Sequence, residues 1–191
     1  MKYLIVYAHP YEKSFNHAIL EALTKTLENK KYTYEIIDLY ADKFNPAYDA
    51  VELSLFFAGK TADPLVTKYQ EMIKKADHLV FVFPVWWNDL PAIVKGFIDK
   101  VMKKDFAYIF TANGLEGTLT FIKKAYIFTT ASSTQWFIES FAGDAIKKTF
   151  MQATLKQIGI VDSEWRHISF MEADTLEKRE KFLTEIAELI E

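Results

Sequence analysis

Five stretches of the chain consist mainly of apolar, β-forming residues, and segments with helical periodicity lie between them. The clearest stretch is Leu79–Phe83, a continuous apolar run typical of strands that are buried on both faces. The other four carry the same mixture of aliphatic and aromatic residues. The predicted strands are Tyr3–Ala8, Tyr32–Leu39, Leu79–Phe83, Ala125–Ala131 and Trp165–Phe170.

Apolar residues recur every three or four positions between these strands, which predicts amphipathic helices. The predicted helices cover residues 15–29, 65–75, 91–101, 141–158 and 175–190. Ser14 or Asn16 can cap the first helix, and Asn88 or Asp89 can cap the third. Pro84 lacks a backbone N–H and is expected to end its strand.

Two segments break the alternation of strand and helix. Residues 40–66 contain Phe44-Asn45-Pro46, Gly59 and Pro64, and we interpret them as an irregular excursion with one turn of helix. Residues 105–120 contain Asn113-Gly114, a pair that favours a tight hairpin turn.

Strands that alternate with helices predict an α/β fold in which helices cover both faces of a parallel sheet. Five strands in 191 residues fit a three-layer α/β/α sandwich with the flavodoxin-like strand order 2-1-3-4-5. We expect one domain that spans residues 1–191. In this fold ligands bind at the carboxyl edge of the sheet, and flavin mononucleotide binds between the first and third strands.

Composition and charge exclude several classes of protein. The net charge is −3 and no clustered basic face is evident, so a nucleic-acid partner is not expected. The chain has no cysteine, which excludes disulfides, thiol catalysis and cysteine metal sites. The apolar run after Lys2 is too short for a signal peptide or a membrane span, so we expect a cytoplasmic protein.

The common catalytic motifs are also missing. The sequence contains no GxGxxG, GxxxxGK[ST], HExxH or GxSxG pattern, and its four histidines lack metal-ligand spacing. We therefore predict no metal site and expect a bound cofactor to carry any chemistry.

The loop after the first strand could hold a phosphate. It leads into a helix whose first turn offers free N–H groups and the positive end of a dipole. His9, Ser14 and Asn16 add side-chain donors. Each residue alone could simply be a helix cap or an ordinary loop residue. Three donors on one such loop, however, favour phosphate binding.

Two further loops at the same predicted edge could hold a planar ligand. Trp86 and Trp87 follow the third strand, although both could equally belong to the core. Residues 129–134, TTASST, follow the fourth strand and could equally form a solvated turn. Together the three loops would provide hydrogen-bond donors for a phosphate, aromatic side chains for a planar ring, and polar groups along the edge of that ring.

The same loops carry a family resemblance. The chain resembles the flavodoxin-like NAD(P)H:quinone oxidoreductases, and the similarity spans roughly residues 1–170. The motifs that carry it are Ala8-His9-Pro10, Ser14-Phe15-Asn16-His17-Ala18, Asp38-Leu39-Tyr40, Phe44-Asn45-Pro46, Phe83-Pro84-Val85-Trp86-Trp87, Pro91-Ala92-Ile93-Val94-Lys95-Gly96-Phe97 and Thr129-Thr130.

The resemblance implies a bound flavin, either FAD or FMN, that receives a hydride from NAD(P)H and reduces a quinone in ping-pong order. It implies phosphate contacts from His9, Ser14, Phe15, Asn16 and Ala18. It implies ring contacts from Pro84, Val85, Trp86, Trp87, Asn88, Thr129, Thr130, Ala131 and Ser132, and substrate contacts from Tyr108, Phe110 and Phe137. Members of the family are usually homodimers with the active site at the interface.

The chain departs from the family in two places. Ala131 and Ser132 stand where the family often has two glycines. Residues 136–141, WFIESF, contain neither the Tyr nor the His that better-studied relatives use as a proton relay, so water is expected to supply the proton.

Two other functions fit the same features. The chain could reduce azo or nitro-aromatic compounds, or it could be a flavin-binding regulatory subunit of a potassium-efflux-type transporter. A one-electron carrier is disfavoured, because flavodoxins use a Thr/Ser-Gly-rich phosphate loop and are usually far more acidic.

Overall fold

A five-stranded parallel sheet lies at the centre of the protein. In the computed structural model, which describes residues 1–170, 172 and 175–190, the strand order is β2-β1-β3-β6-β7. These strands are β1 Lys2–Tyr7, β2 Thr33–Asp38, β3 His78–Pro84, β6 Lys124–Ala131 and β7 Ser163–Ser169. Each overlaps a predicted strand, and their spatial order confirms the predicted flavodoxin-like topology.

The two additional strands form the expected hairpin. β4 Tyr108–Thr111 pairs in antiparallel fashion with β5 Gly114–Gly117. Gly114, at a φ of 110°, supplies the left-handed backbone that the turn requires. The hairpin shifts the numbering of the last two sheet strands without changing the topology of the sheet.

Helices cover both faces of the sheet, so the molecule has the predicted three layers. The helices are α1 Phe15–Asn29, α2 Ala50–Ser54, α3 Pro64–Lys74, α4 Ala92–Val101, α5 Gln135–Ser140 and α6 Leu176–Leu189, with a 3₁₀ turn at Phe56–Ala58 and a π-helix at Ala145–Leu155. α1 and α6 pack on one face. α3, α4 and the π-helix pack on the other.

The π-helix replaces part of the long helix predicted at 141–158. Its buried residues are Ile146, Phe150, Met151 and Leu155, spaced by four, one and four positions. A π-helix turns by roughly 80° per residue, which gathers these four side chains onto one stripe. An α-helix turns by about 100° per residue and would spread them over half its circumference. The predicted start at Phe141 was wrong, because Gly143 and Asp144 both have positive φ and interrupt the helix.

The junction between β3 and α4 also differs from the prediction. β3 does end at Pro84, as expected, but Pro84 itself pairs with Thr130, and one further bond runs from the Val85 amide to the Thr130 carbonyl. Neither Asn88 nor Asp89 caps α4. Pro91 occupies the N-cap position, without a side-chain hydrogen bond. The intervening residues form a tight turn instead.

The excursion at 40–66 is held against α4 and the residues that follow it. Gly96 lies so close to Pro46 that an added Cβ would be 2.3 Å from the proline Cβ. Lys100 forms an ion pair with Asp63 at 2.9 Å. Lys103, fully buried, forms another with Glu52 at 2.7 Å. Within the described ranges, no helix is long and apolar enough to cross a bilayer.

Candidate functional site

A cavity of about 570 Å³ lies at the carboxyl edge of the sheet, between the loops that follow β3 and β6. Because β3 and β6 are neighbours, the two predicted loops face each other across it. The lining residues are Val85, Trp86, Trp87, Asn88, Ala131, Ser132, Ser133 and Ile138. Ile138 projects from α5, a helix that the sequence did not predict.

A two-residue turn presents one side of this cavity. The backbones of Trp86 and Asp89 exchange two hydrogen bonds of 3.1 and 3.2 Å. Trp87 and Asn88 between them have φ values of 50° and 65°, as in a type I′ turn. Left-handed backbone costs roughly 1–2 kcal/mol for a residue with a side chain, so the turn stores strain.

The tryptophans are not core residues. Trp86 is 45% exposed and Trp87 is 98% exposed, so the alternative that buried both of them is wrong. An indole held fully in solvent on a strained turn contributes little to folding. Its position at the cavity mouth suits contact with a ligand or with another protein chain.

The paired threonines lie beneath the cavity and do not line it. Both are buried at the end of β6, and their side chains are occupied by other residues. Thr130 Oγ1 accepts a hydrogen bond from Asn16 Nδ2 at 2.8 Å. Thr129 Oγ1 accepts one from Trp165 Nε1 at 2.7 Å and lies 2.8 Å from His167 Nδ1. Trp165 and His167 come from β7, and no motif in the sequence indicated that they would meet Thr129.

The backbone around the cavity offers unused hydrogen-bond donors. The N–H groups of Trp87, Asn88, Ser132 and Ser133 have no acceptor in the described part of the chain. Such groups can stabilise negative charge on a bound ligand. None of the lining side chains is ionisable, so these residues hold no side chain that could act as a proton donor.

A second cavity, of about 350 Å³, lies beside the first loop. Its lining consists of His9, Tyr11, Lys13, Ser14, Phe15, Asn16, Phe170 and Arg179. Four of these residues were predicted to contact phosphate, and Lys13 and Arg179 add two cations. Arg179 lies on α6, more than 160 residues from the loop, so the sequence alone could not connect them. Ala18 is not among the lining residues.

Ser14, Asn16 and His9 differ in how their polar atoms are occupied. Ser14 caps α1, since its Oγ accepts a hydrogen bond from the His17 amide at 3.1 Å. The Oδ1 of buried Asn16 has no partner among the described residues. His9 Nδ1 accepts from the Tyr11 amide, and burial lowers the pKa of His9. The His9 ring is therefore neutral at pH 7 and carries its proton on Nε2, which can donate to a phosphate.

The two cavities are linked through the side chains beneath them. Asn16 lines the second cavity and bonds to Thr130, the residue next to Ala131 of the first cavity. A single elongated ligand could therefore place an anionic group beside α1 and a ring beside Trp87.

The predicted substrate residues do not line the first cavity in this chain. Tyr108 and Phe110 lie on the hairpin, where their rings are 5.6 Å apart. Phe110 is 65% exposed, and Phe137, on α5, is 42% exposed. Their contact with a substrate stays a prediction. The residues that the structure describes contain no cluster of His, Asp or Glu suited to a metal ion.

Comparison with known proteins places the chain among flavodoxin-like proteins. Residues 1–190 match the family described as having a flavodoxin-like fold. A Streptococcus mutans structure, Smu.1420, is 34% identical, with a TM-score of 0.82 over 99% of this chain and 98% of that one. The NAD(P)H:quinone oxidoreductase of Methanothermobacter marburgensis is 28% identical, with a TM-score of 0.85 over 98% of this chain and 96% of that one.

Among curated proteins, NAD(P)H dehydrogenase (quinone) 1 of Cavia porcellus is 31% identical over 68% of this chain and 53% of its own length. The chain spans about half the length of the curated relatives that it matches.

Proposed function

The chain belongs to the flavodoxin-like fold family, and from this premise we propose that it is a flavin-dependent NAD(P)H oxidoreductase that reduces quinones or related electron-poor aromatics. The observation that carries the proposal is the pair of linked cavities. One offers an exposed indole and unpaired backbone N–H groups, and the other offers a helix N-terminus with Lys13 and Arg179. We propose that residues 1–191 form one flavin-binding domain.

The residues of the second cavity suit the phosphate end of a flavin. Lys13 and Arg179 supply positive charge, and the N-terminus of α1 favours an anion. The unpartnered Oδ1 of Asn16 is an acceptor suited to a hydroxyl of the ribityl chain. FMN brings a phosphate monoester and FAD a diphosphate, each with about two negative charges, so the charge of the cavity does not discriminate between them.

The residues of the first cavity suit a planar ring. Trp87 can stack on it, and the N–H groups of Trp87, Asn88, Ser132 and Ser133 can stabilise negative charge on it. A bound flavin would accept a hydride from NAD(P)H and pass the two electrons to a quinone. The apolar wall from Val85 and Ile138 limits the access of water to the ring.

One cavity face would serve donor and acceptor in turn, which corresponds to a ping-pong mechanism. The lining provides no ionisable side chain, so we propose that water delivers the proton to the product. Because NAD(P)H is a cytoplasmic reductant, we place the protein in the cytoplasm.

We further propose a homodimer with the active site at its interface. Three large exposed side chains lie near the cavity: Trp87 on the loop after β3, Trp136 on α5, and Phe141 directly after α5. Phe110 is as exposed as Trp136 and Phe141 but lies on the hairpin, outside the cavity of its own chain. A second copy would cover these residues and bring Tyr108 and Phe110 to the cavity of its partner.

The proposed activity is tested by adding FMN or FAD to the purified protein and following NADH and NADPH oxidation with a quinone. We expect oxidation that depends on both the protein and the quinone. Azo and nitro-aromatic acceptors assayed in parallel define the range of substrates. Absence of acceptor-dependent oxidation with every donor and cofactor would contradict the proposal.

A further inference from the structure

A buried chain of hydrogen bonds runs from β7 to the edge of the first cavity. It contains Trp165 and His167 of β7, Thr129 of β6 and the backbone carbonyl of Ser133. Thr129 is fully buried, and Trp165 and His167 are less than a tenth exposed. The last member, Ser133, lines the cavity.

With a neutral His167 ring, the donors and acceptors of this hydrogen-bond network allow only one arrangement of protons. Indole Nε1 can only donate, so Trp165 donates to Thr129 Oγ1 at 2.7 Å. A carbonyl can only accept, so His167 Nε2 carries a proton and donates to Ser133 at 2.9 Å. In the neutral ring Nδ1 is then the acceptor, and the Thr129 hydroxyl donates to it at 2.8 Å. Every side-chain polar atom of this network has a hydrogen-bond partner, so the network allows a single orientation of each group.

This network of hydrogen bonds reaches residues 132–134, a part of the loop that few other hydrogen bonds hold in place. Only residues 132–134 separate the end of β6 from the start of α5. Ala131 is fixed by a bond from the Phe170 amide to its carbonyl, and Thr134 caps α5. Between them the amides of Ser132 and Ser133 have no acceptor in the described ranges, and the bond from His167 holds the Ser133 carbonyl.

We propose that His167 is a positioning residue that, through Thr129 and Ser133, holds the Ser132–Ser133 backbone in the conformation that binds the flavin ring. The inference rests on the proposed flavin site. It assigns a role to a residue that touches neither the ring nor the substrate. Ala131 and Ser132 restrict this backbone more than two glycines would, and the bond from His167 adds to that restriction.

The arrangement also makes the site sensitive to acid. A second proton on His167 would turn Nδ1 from an acceptor into a donor, so the buried Thr129 hydroxyl would lose the acceptor for its own proton. Burial lowers the pKa of His167, so the ring is neutral at pH 7. The charged groups that share a cavity with His167 are Glu172 and, on α6, Lys178, Lys181 and Glu185. In the folded protein the ring gains a second proton only below its lowered pKa, which lies under the ordinary value of 6.5, and that proton should weaken the network and with it the hold on the loop.

The decisive variants are His167→Phe, which removes both bonds, and His167→Gln, whose amide can still donate to Ser133. FAD is titrated into each apoprotein and into the unaltered protein at pH 7.5. We expect His167→Phe to raise the dissociation constant about tenfold and to shift the visible absorbance of the bound FAD. His167→Gln should restore most of the affinity and the spectrum.

A matched pair separates positioning from general stability. Thr129→Val and Thr26→Val each remove a buried hydroxyl, but Thr26 bonds only within α1, to the Ala22 carbonyl. We expect Thr129→Val to weaken FAD binding and Thr26→Val to leave it unchanged. When the titrations are repeated at successively lower pH below 6.5, binding to the unaltered protein should weaken more than binding to the His167→Gln variant once the folded ring gains its second proton.

The outcomes are distinguishable. If the unaltered protein binds FAD and His167→Phe binds it equally well with the same spectrum, the positioning role is overturned. If His167→Phe does not fold, the matched pair of Thr129→Val and Thr26→Val decides, and equal FAD binding by those two variants overturns the role. If the unaltered protein binds neither FAD nor FMN, the proposed function falls, and the positioning role falls with it.

Discussion

At the scale of single residues, Trp87 shows a conflict between stability and function. Its backbone is strained at a φ of 50° and its side chain is almost wholly in solvent. Selection for folding alone would favour glycine at this position, because glycine adopts left-handed backbone without cost. Strain that persists without a folding benefit indicates that the indole is kept for binding.

We predict that Trp87→Gly raises the free energy of unfolding by about 0.5–1 kcal/mol while lowering flavin affinity roughly tenfold. Urea unfolding and flavin titration measure the two effects. Lys31→Gly is the matched control, since Lys31 also has a positive φ, of 57°, but lies beyond the end of α1. The Lys31→Gly variant should gain stability and keep its flavin affinity. A Trp87→Gly variant that binds flavin normally would show that the indole has no role in binding.

The residues of the site were only partly predictable from sequence. Val85–Asn88, Ala131 and Ser132 line the cavity as expected, because strand order determines which loops meet. The positions of Thr129 and Thr130 could not be predicted, since their burial depends on partners from β7 and α1. Arg179 was missed for the same reason, because it enters the second cavity from α6, whereas Lys13 lies on the first loop itself and was not singled out.

At the scale of elements, α4 organises the excursion at 40–66. Gly96 permits close approach to Pro46, and buried lysines at positions 100 and 103 hold acidic residues of the excursion. Burial raises the pKa of Glu52, but Lys103 and hydrogen bonds from Thr61 and Ala62 outweigh it and lower the pKa to about 2. A buried charge of this kind depends on its partner.

The low pKa of Glu52 makes the stability depend on pH in a definite direction. The folded pKa lies below the ordinary value of 4.5, so the folded state binds fewer protons than the unfolded state. The contribution of Glu52 is therefore complete above pH 4.5 and is lost as the pH falls through about 2.

We predict that Glu52→Gln lowers the free energy of unfolding by about 3 kcal/mol at pH 7, because it leaves the buried Lys103 ammonium without a counter-charge. The difference from the unaltered protein should shrink at pH 3. Urea unfolding at the two pH values measures it. Glu71→Gln, which breaks an exposed pair with Lys74, should have little effect at either pH, and equal losses from both variants would contradict the account.

The elements themselves were predictable where periodicity was strong. All five sheet strands and the hairpin follow from apolar runs and one Asn-Gly turn. The sequence predicts an α-helix where the π-helix lies, because a 4-1-4 spacing of apolar residues matches neither the α-helical nor the β-strand period well. α5 was missed because a six-residue helix has too few turns to show a pattern.

At the scale of the whole molecule, the distribution of exposed aromatic residues favours a dimer. Phe110 on the hairpin is 65% exposed and Trp87 at the cavity is 98% exposed, and one chain does not bring them together. Two copies related by a twofold axis would bury both, which offsets the cost of exposing so much apolar surface.

We predict that the unaltered protein sediments at twice the mass of one chain and that Phe110→Asp converts it to folded monomers with little turnover. Analytical ultracentrifugation and circular dichroism measure these properties. Phe121→Asp is the control, since Phe121 is 44% exposed but precedes β6 at the opposite edge of the sheet. Monomeric unaltered protein with full activity would rule out a shared site.

Binding of a flavin in the two linked cavities underlies every role proposed for this protein. The most direct measurement is the absorbance spectrum of the purified protein, before and after addition of FMN and FAD, with the mass of any chromophore released on denaturation. The account predicts the visible bands of oxidised flavin, perturbed from those of free flavin, and a released mass that identifies FMN or FAD. A colourless protein that leaves the spectrum of added FMN and FAD unchanged would contradict it.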